Sequence, residues 1–380
     1  MNKIISFFNT YTPVVPLYKD LCKESHLNKQ LKLNFYSLSS DFRGSLLEKN
    51  LGKNSLNNIW SPKIFRKKKI ILSIYYFFIG FFYLFKKSDL NVFLTQPPFF
   101  YLVGSYISNL KKTPYIIHVM DVYPDIIFKK KSNNFFYRIF YQILNYLALK
   151  SYRASKKVIV IGHCMHNVLL EKGVPNEKIS LLTNWASIKT KTKNSNILKK
   201  KFKVMYSGNI GYAHDVETII KSFPKLSNFK NLNFTFVGEG RSKKMIEHAS
   251  SCYDNNFITL SDFKEDRKLS QSLSSANIHL ISLKEGYEGL LVPSKVYNIL
   301  ACGRPVIFIG NKNSEIARLI NDFDCGIIIN NGDSEYFTNI IQDLSENSSK
   351  LLKMSNNALK ASRSISMEVL PKKYLRILTE

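Results

Sequence analysis

The sequence predicts an α/β protein built from two Rossmann-like, doubly wound domains. Short β-rich runs alternate with helical segments in the first half of the chain, a polar lysine-rich stretch interrupts them, and a second alternating series begins at Lys203. Parallel strands joined by helices form a doubly wound sheet whose ligand crevice lies beyond the carboxyl ends of the strands. We therefore predict domains at 1–188 and 203–366, a linker at 189–202 and a last helix at 367–380.

The composition excludes a wholly disordered chain and indicates an anionic partner. The 380 residues are 45% hydrophobic, which suits two domains with sizeable cores. The five cysteines show neither CxxC pairs nor metal-ligand spacing and are typical of reduced thiols in a cytoplasmic protein. Residues 1–186 hold 27 Lys and Arg against 9 Asp and Glu, a net of +18 within a total of +27. Such a surplus favours nucleic acid or a membrane surface as partner.

The first series contains six β-rich runs with helical material between them: Lys3–Phe8, Lys32–Leu38, Asn91–Thr95, Tyr115–Met120, Val158–Ile161 and Ser180–Thr183. Asp121 follows the fourth run, at the strand end where such folds place groups that face a ligand. An aspartate before a turn that contains proline is also common as a local cap. Both interpretations of Asp121 stay open at this point.

The segment Ile70–Phe85 carries no charge and has basic residues on both sides. Its sixteen residues fall short of a comfortable bilayer span, and a helix that is apolar all round must be buried in protein or in lipid. The tyrosines and flanking lysines favour an interfacial or re-entrant helix, while a core helix fits equally well. Residues 133–155 form an aromatic, basic helix that either covers the sheet or presents an edge to a membrane.

The second series begins with a strand that ends in a glycine-bearing loop. Gly208 and Gly211 allow backbone amides to approach a ligand closely. The next strand, Phe234–Val237, ends in Gly-Glu-Gly, which is not the dinucleotide fingerprint and excludes an NAD site of that type. Arg241 follows it and is a candidate for neutralising phosphates.

The run Glu288–Gly310 is interpreted as a loop, a short helix, a tight turn and a buried strand. Ser294 suits a helix cap, Gly303 suits a helix stop, and Val306–Ile309 is typical of a central strand. Lys295 lies at the predicted helix start, where bare amides and an ammonium together suit a phosphate or diphosphate. The alternative is an ordinary corner with a capping serine and a solvated lysine.

Two segments carry a resemblance to a known family. Ser207-Gly-Asn-Ile-Gly211, followed by His214-Asp215, and the pattern Glu-Gly-Leu-x-Val-Pro-Ser-Lys-x-Tyr…Gly-Arg-Pro within Glu288–Gly310 resemble the donor-binding loops of family-4 retaining glycosyltransferases. The similarity is greatest with the colanic-acid, O-antigen and capsule biosynthesis type. The resemblance implies the GT-B fold, in which two Rossmann-like domains flank a deep cleft and a C-terminal helix returns to the first domain.

The resemblance also implies an activity. A hexosyltransferase of this type moves a sugar from a nucleotide-sugar, here expected to be UDP-linked, to an undecaprenyl-linked or saccharide acceptor, with retention. The nucleotide-sugar is a substrate, and no cofactor is expected. The expected setting is the assembly of bacterial lipopolysaccharide or capsule, by a cytoplasmic protein that is peripheral on the inner face of the cell membrane. An anionic membrane surface is then the expected partner, and nucleic acid is not.

The resemblance assigns roles residue by residue. His214 and Glu288 hold the donor sugar, and Asp121 lies near the acceptor hydroxyl. The donor and nucleotide site comprises Gly208, Asn209, Gly211, Arg241, Phe263, Leu290, Leu291, Ser294, Lys295 and Asn298. One departure stands out, because the family has two glutamates eight positions apart and this chain has Leu290 and Asn298 in those slots. Asn298 can still hydrogen-bond a ribose hydroxyl, though less strongly than a carboxylate.

No catalytic metal is predicted. Asp322-Phe-Asp324 matches the metal-binding Asp-x-Asp of the other glycosyltransferase fold, but it follows the helical run 314–320 and is interpreted as a helix end. Lys295 and Arg241 are then expected to stabilise the departing diphosphate. Two rival functions stay open: a catalytically inactive GT-B scaffold at the membrane, which the two substituted glutamate slots favour, and a basic nucleic-acid-binding protein, which explains only the charge.

Overall fold

The computed structural model describes residues 3–9, 20–25, 31–38, 55–59, 69–129, 134–190, 201–262, 268–365 and 368–380. The chain divides into two compact units. Unit 1 comprises Met1–Thr183, Gly289–Val292 and Glu368–Glu380, and unit 2 comprises Asn184–Glu288 and Pro293–Met367. The sequence placed Gly289–Val292 in the second domain, whereas its contacts place it in unit 1. Each unit contains one parallel sheet, so the α/β class with two Rossmann-like domains is confirmed.

The sheet of unit 1 has the strand order β3-β2-β1-β4-β5-β6-β7, with parallel pairing throughout. β4 and β5 are buried at every position because helices cover both faces of a parallel sheet. β3 is a strand that the sequence analysis missed. The bounds are β1 Lys3–Phe8, β2 Leu31–Leu38, β3 Ser55–Ile59, β4 Leu90–Leu94, β5 Tyr115–Val119, β6 Lys157–Val160 and β7 Ile179–Leu181.

The helices of unit 1 are α1 (20–25), α2 Lys69–Tyr83, α3 Phe100–Leu110, α4 Asp125–Phe128, α5 Phe135–Ala154, α6 His163–Glu171 and α14 Leu370–Thr379. The predicted return of the C-terminal helix to the first domain is confirmed, since α14 belongs to unit 1. The Oη of its buried Tyr374 lies 2.8 Å from Nδ1 of His118 on β5. Within the described residues, no helix combines the length and the hydrophobicity needed to cross a bilayer.

Helix α2 packs on unit 1 along one stripe only. Leu72, Tyr76 and Gly80 are buried at intervals of four residues, and the hydroxyl of Tyr76 donates to the carbonyl of Tyr36 at 2.7 Å. The opposite side of the helix, which includes Phe78, is exposed. The interpretation of this segment as a helix sandwiched between the sheet and its neighbours is therefore wrong. Beyond Lys69 at its start, α2 carries no charge, and the side of the helix that includes Phe78 and Phe82 is apolar and exposed.

The sheet of unit 2 has the order β10-β9-β8-β11-β12-β13, also parallel throughout. β13 is a second strand that the sequence analysis missed. The strands are β8 Phe202–Ser207, β9 Leu232–Val237, β10 Ile258–Ser261, β11 Ile278–Ser282, β12 Val306–Ile309 and β13 Gly326–Ile329. The helices are α7 Glu217–Leu226, α8 Lys243–Ser250, α9 Leu269–Ser274, α10 Lys295–Ala301, α11 Glu315–Phe323, α12 Ser334–Glu346 and α13 Ser348–Ser364.

The strand order of unit 2 reverses between β8 and β11. β8, β9 and β10 proceed to one side, and β11 then pairs with the free side of β8. Loops that leave two such strands diverge to opposite faces of the sheet and open a crevice at their carboxyl ends, which is the usual ligand position in this class. The loops after β8, β9 and β11 therefore bound the candidate site.

Candidate functional site

The loops after β8 and β9 are locked together by main-chain hydrogen bonds. The amide of Gly208 donates to Val237 at 2.9 Å, that of Ile210 donates to Glu239 at 2.8 Å, and that of Ser242 donates to Ile210 at 3.0 Å. Gly240 has φ of +143°, and a Cβ there would lie 2.3 Å from the carbonyl oxygen of Ile210. The Gly-Glu-Gly sequence thus serves the close approach of two loops and keeps the loop after β8 rigid.

Gly208 lies against the side chain of Lys295. Its φ of +126° is in the region that favours glycine, and a Cβ there would lie 3.4 Å from Cδ and 3.9 Å from Nζ of Lys295. Gly211 has an ordinary φ, and a Cβ there would lie 3.0 Å from Nδ2 of Asn209, which is itself exposed. The first glycine therefore shapes the lysine pocket, and the second makes room for Asn209.

Lys295 carries the central charge of the site. Its Nζ is shielded from solvent although the residue as a whole is only half-buried, and no hydrogen-bond acceptor contacts this atom among the described residues. The ammonium lies 3.5 Å from the ring centroid of Tyr206, a cation–π contact that compensates part of the desolvation. Burial lowers the pKa of Lys295 well below its usual value. The interpretation of Lys295 as a solvated surface lysine is therefore wrong.

Ser294 does not cap the helix, contrary to the prediction. It has φ of −63° and ψ of −13°, and its side chain makes no capping hydrogen bond with α10. A capping side chain reaches the first free amides from an extended residue, and Ser294 is helical instead. Its exposed hydroxyl is left beside the start of α10. Gly303, with φ of +64°, follows the last turn of α10 as predicted.

His214 is held as a neutral imidazole. Its Nδ1 lies 2.6 Å from the carbonyl oxygen of Ser282, and because a carbonyl only accepts, Nδ1 carries the proton. Burial, followed by the nearby charge of Lys295, lowers the pKa of His214 to about 4, and the bond to Ser282 opposes this shift. The lone pair of Nε2 can therefore accept a hydrogen bond from a ligand hydroxyl at neutral pH.

The residue after His214 fixes the loop that carries it. Oδ1 of Asp215 accepts from the amide of Thr218 at 3.1 Å, in the manner of a cap for the first turn of α7. Oδ2 of Asp215 accepts from the hydroxyl of Thr218 at 2.6 Å and from Nδ2 of Asn331 at 2.8 Å. The buried carboxylate thus accepts three hydrogen bonds, which tie the residue next to His214 to the start of α7 and to Asn331.

Glu288 offers a free acceptor. Its Oε1 accepts from Nδ2 of Asn311 at 3.2 Å, while Oε2 is buried and has no hydrogen-bond partner among the described residues. A buried carboxylate oxygen that lacks a donor is costly, and a ligand hydroxyl would remove that cost. Asn311 follows β12 and so orients the carboxylate from a rigid strand end.

Asn298 is tied to the chain that enters unit 2. Its Oδ1 accepts from the amide of Ser187 at 2.7 Å and from the Ser187 hydroxyl at 3.1 Å. Nδ2 is then the group of Asn298 available to a ribose hydroxyl. Arg241 is exposed just after the loop of Gly240. Phe263, the predicted stacking partner of the base, lies outside the described residues.

Three predicted site residues belong to unit 1. The amide of Val122 donates to the carbonyl of Leu290 at 2.8 Å, and Asp121 forms an isolated antiparallel bridge with Leu291. A Cβ at Gly289 would lie 2.6 Å from Cγ2 of Val168 and 2.8 Å from the carbonyl oxygen of Cys164, so this glycine allows the segment to pack on α6. Leu290 and Leu291 therefore belong with the strand-end region of Asp121 in unit 1, whereas Lys295 belongs to unit 2.

Asp121 is a half-buried carboxylate at the end of β5. Its Oδ2 accepts from Nε2 of Gln96 at 3.3 Å, and its main-chain amide donates to Oγ1 of Thr95 at 3.1 Å. Burial raises the pKa of Asp121, and hydrogen bonds from Gln96 and Tyr123 act against that rise. The side chain differs from a turn cap, because its partners are the side chains of Gln96, just after β4, and of Tyr123 in its own turn.

Sequence reasoning missed Tyr206, Ser282 and Asn311. Tyr206 is fully buried and touches both Lys295 and, at 6.1 Å between ring centroids, His214. Its position two residues before Gly208 in a strand was an available signal, because residues i and i+2 share a face. Ser282 and Asn311 reach the site only through sheet formation, and no local pattern marks them.

The Asp-x-Asp sequence is a helix end, as predicted. Asp324 adopts a left-handed conformation with φ of 50° after the last turn of α11. Asp322 pairs with Arg318 at 2.7 Å, and Asp324 pairs with Lys353 at 2.9 Å. Across the described ranges, no group of three or more His, Cys, Asp and Glu side chains is arranged to hold a metal ion.

Comparison with known proteins gives a family match and two curated relatives. Residues 187–361 match the model of the family "Glycosyl transferases group 1". "Probable glycosyltransferase WbjE" of Pseudomonas aeruginosa is 23% identical over 63% of this chain and 62% of its own length. "Putative colanic acid biosynthesis glycosyl transferase WcaI" of Escherichia coli K12 is 26% identical over 44% of this chain and 43% of its own. The similarity thus spans less than two thirds of either relative.

Solved structures match over the whole chain at low identity. Anabaena Alr3699/HepE in complex with UDP-glucose has a TM-score of 0.71 at 15% identity and covers 100% of both chains. WaaG, a glycosyltransferase involved in lipopolysaccharide biosynthesis, has a TM-score of 0.69 at 14% identity over 99% of both chains. These likenesses show that the chain shares its fold with such proteins. At residues 187–361 the chain is therefore similar to the glycosyl transferases group 1 family.

Proposed function

We propose that the protein is a glycosyltransferase that moves a hexosyl group from a UDP-linked sugar to a lipid-linked or saccharide acceptor. The proposed setting is the assembly of a bacterial surface polysaccharide, on the inner face of the cell membrane. The transfer retains the anomeric configuration and uses no metal. Unit 2 binds the donor, and the strand-end region of Asp121 in unit 1 serves the acceptor.

The observation that carries this proposal is the buried ammonium of Lys295, which has no hydrogen-bond partner among the described residues. A lysine Nζ that is shielded from water and, within the described residues, lies over the Tyr206 ring without a hydrogen-bond acceptor is unfavourable. A diphosphate next to it would supply the missing charge and hydrogen-bond acceptors. During transfer the leaving diphosphate gains negative charge, so the same ammonium would favour the transition state over the ground state.

Two further groups suit a donor sugar. Neutral His214 can accept through the lone pair on Nε2, and Oε2 of Glu288 has no hydrogen-bond partner among the described residues, so both can accept from sugar hydroxyls. Their hydrogen bonds to Ser282 and Asn311 fix both side chains before substrate arrives. Acceptors held in place favour one orientation of the donor without a later entropic cost.

The relatives support the same substrate class. The HepE structures were determined with UDP, with UDP and glucose, and with UDP-glucose. WcaI is a putative glycosyl transferase of colanic acid biosynthesis, and WaaG is a glycosyltransferase involved in lipopolysaccharide biosynthesis. Asp121 is proposed to lie near the acceptor hydroxyl, where its raised pKa would help it to take up a proton.

Titration calorimetry with UDP, ADP, GDP and CMP tests the donor assignment. We expect UDP to bind with the highest affinity, and incubation with UDP-sugars and a polysaccharide-precursor acceptor to release UDP. Absence of binding by all four nucleotides would refute the donor site. If the protein instead bound RNA or DNA tightly and in a salt-sensitive way, and Lys295→Ala did not change this binding, the positive charge would be explained by a nucleic-acid-binding function.

A catalytically inactive scaffold is the second candidate. It is favoured by Leu290 and Asn298, which occupy the two slots where the family has glutamates. Asn298 uses its Oδ1 to hold Ser187, and the carbonyl of Leu290 accepts from the amide of Val122. UDP binding without any turnover of UDP-sugars would select this function.

A further inference from the structure

Three helices of unit 1 lie side by side and leave apolar side chains exposed. α3 packs on α2, with ring centroids of Tyr76 and Phe100 5.2 Å apart, and on α5, where the hydroxyls of Ser105 and Ser151 are 2.8 Å apart. We call the exposed surface of these three helices the apolar face. Its main members are Phe78 and Phe82 on α2, Tyr106 on α3, and Phe136, Phe140 and Tyr146 on α5.

The exposure of these side chains is large. Phe78, Phe82 and Phe136 are 66%, 69% and 78% exposed. The helices are fixed in this orientation, because Tyr76 and Leu72 of α2 and Tyr152 of α5 are buried on the opposite side. An apolar surface spread over three neighbouring helices marks an interaction site, since isolated proteins rarely leave such a patch uncovered.

The charges around the apolar face identify its partner. α2, α3 and α5 contain no aspartate or glutamate. Lys86, Lys87 and Lys112 are exposed just beyond the ends of α2 and α3, and Arg138 and Lys150 are exposed on α5. Aromatic residues with basic residues beside them suit an anionic lipid surface, where the rings enter the headgroup boundary and the cations meet the phosphates. A second copy of the chain would bring like charges together.

We propose that the apolar face docks unit 1 on an anionic lipid bilayer, with the phenylalanines of α2 and α5 inserted into the interface. α5 and Asp121 both follow the carboxyl end of β5, so docking through the start of α5 brings that edge of the sheet to the membrane. Under the proposed function, this places a lipid-linked acceptor within reach of Asp121. The docking itself does not depend on that function.

Vesicle co-sedimentation tests the docking. The probes are vesicles of phosphatidylcholine alone and of phosphatidylcholine with phosphatidylglycerol, each at low and at high salt. The variant carries Phe78→Ser, Phe82→Ser, Phe136→Ser and Phe140→Ser. The matched control carries Met245→Ser and Tyr336→Ser, which are 42% and 44% exposed in unit 2.

We expect the wild type and the control to bind the anionic vesicles, and part of this binding should persist at high salt. The variant with four serines should lose the binding that persists at high salt. Each phenylalanine replaced should lower the partition coefficient by about tenfold. Its UDP affinity should be unchanged, which separates this result from the donor site. Because exposed rings add little to stability, its thermal midpoint should also be retained.

Each contrary outcome overturns the proposal. The proposal fails if the wild type does not bind anionic vesicles at low salt, or if the variant binds them at high salt as well as the wild type does. It also fails if the variant unfolds, or if the wild type is a dimer and the variant is a monomer. Unfolding would mean that the face is covered by protein. A second readout uses Phe82→Trp, whose emission should shift to shorter wavelength with anionic vesicles and be quenched by brominated acyl chains. Emission that does not change would likewise refute insertion.

Discussion

Lys295 shows how one side chain can define a site before any ligand is bound. Its aliphatic chain passes Gly208, and its ammonium ends 3.5 Å from the Tyr206 ring centroid, shielded from water. The motif alone located the lysine but not its burial, because burial arises where strands β8 and β11 meet. The lowered pKa and the shielding of Nζ from solvent are therefore features that only the folded chain reveals.

The first prediction concerns Lys295→Ala. Loss of a charged contact to the diphosphate should weaken UDP binding by about 1.5–3 kcal/mol, or roughly 10- to 150-fold. The fold should remain intact, since the substitution removes a desolvated charge rather than an apolar group. Calorimetry and thermal unfolding of the same samples measure both effects.

The matched control is Lys243→Ala in the same unit. Lys243 pairs with Asp262 at 3.1 Å and with Glu247 at 3.8 Å, so its charge is already satisfied. UDP affinity should change little in this variant, because surface ion pairs contribute about 0–1 kcal/mol to stability and nothing directly to the site. Equal losses in the two variants would contradict a specific role for Lys295.

The second prediction concerns the pH dependence that His214 gives to stability. Its pKa falls from 6.5 to about 4 on folding, so between these values the unfolded chain binds more protons than the folded chain. The contribution of His214 to the free energy of unfolding should therefore rise from pH 4 to pH 6.5 and stay constant above. Urea unfolding of the wild type and of His214→Gln across this range gives the contribution by difference. A difference independent of pH would show that the imidazole is solvated.

At the scale of elements, the loops after β8 and β9 act as one rigid piece because Gly240 allows their main chains to touch. The third prediction is that Gly240→Ala lowers the free energy of unfolding by about 3 kcal/mol or more, through the clash with Ile210 and the positive φ. Gly332 separates the cost of a positive φ from the cost of the clash, since it has φ of +86° and no atom lies within 4 Å of a Cβ built there. Gly332→Ala should cost only about 1 kcal/mol. Chemical denaturation compares the two, and equal costs would contradict the clash.

The sequence predicted most of the helices and strands, but it did not predict which of them contact one another. Most strands follow apolar runs that local patterns reveal, and α11 ends at the predicted place before Asp324. β3 was missed because Ser55–Ile59 is half polar, and it becomes a strand through pairing with β2. The predicted Ser294 cap is absent because that residue is helical, whereas a capping residue is extended. The missed strand β3 shows how pairing with a neighbouring strand can override a local preference.

At the scale of the whole molecule, the division into two Rossmann-like units followed from the alternation of strands and helices. The sequence order could not show that Gly289–Val292 belongs to unit 1, since the residues on both sides belong to unit 2. It also could not decide whether Ile70–Phe85 is a core helix, because a run without charges has no polar side to mark the solvent. The structure decides this through one buried stripe and one exposed side.

The last prediction is that transfer by the whole protein proceeds at an undiminished rate in EDTA. The Asp-x-Asp sequence suggested a metal site, but its two carboxylates form ion pairs, Asp322 with Arg318 and Asp324 with Lys353. Under the proposed function, the ammonium of Lys295 neutralises the diphosphate instead of a metal ion. Asp322→Ala should accordingly retain the rate, and it should cost no more than about 0.5 kcal/mol of stability because the pair is exposed and lies one helical turn apart. A release assay for UDP, run with EDTA and with added Mg²⁺ or Mn²⁺, measures the dependence for both proteins. Activity that EDTA abolishes and that Asp322→Ala also removes would place a metal at the end of α11 and would leave Lys295 without its proposed role.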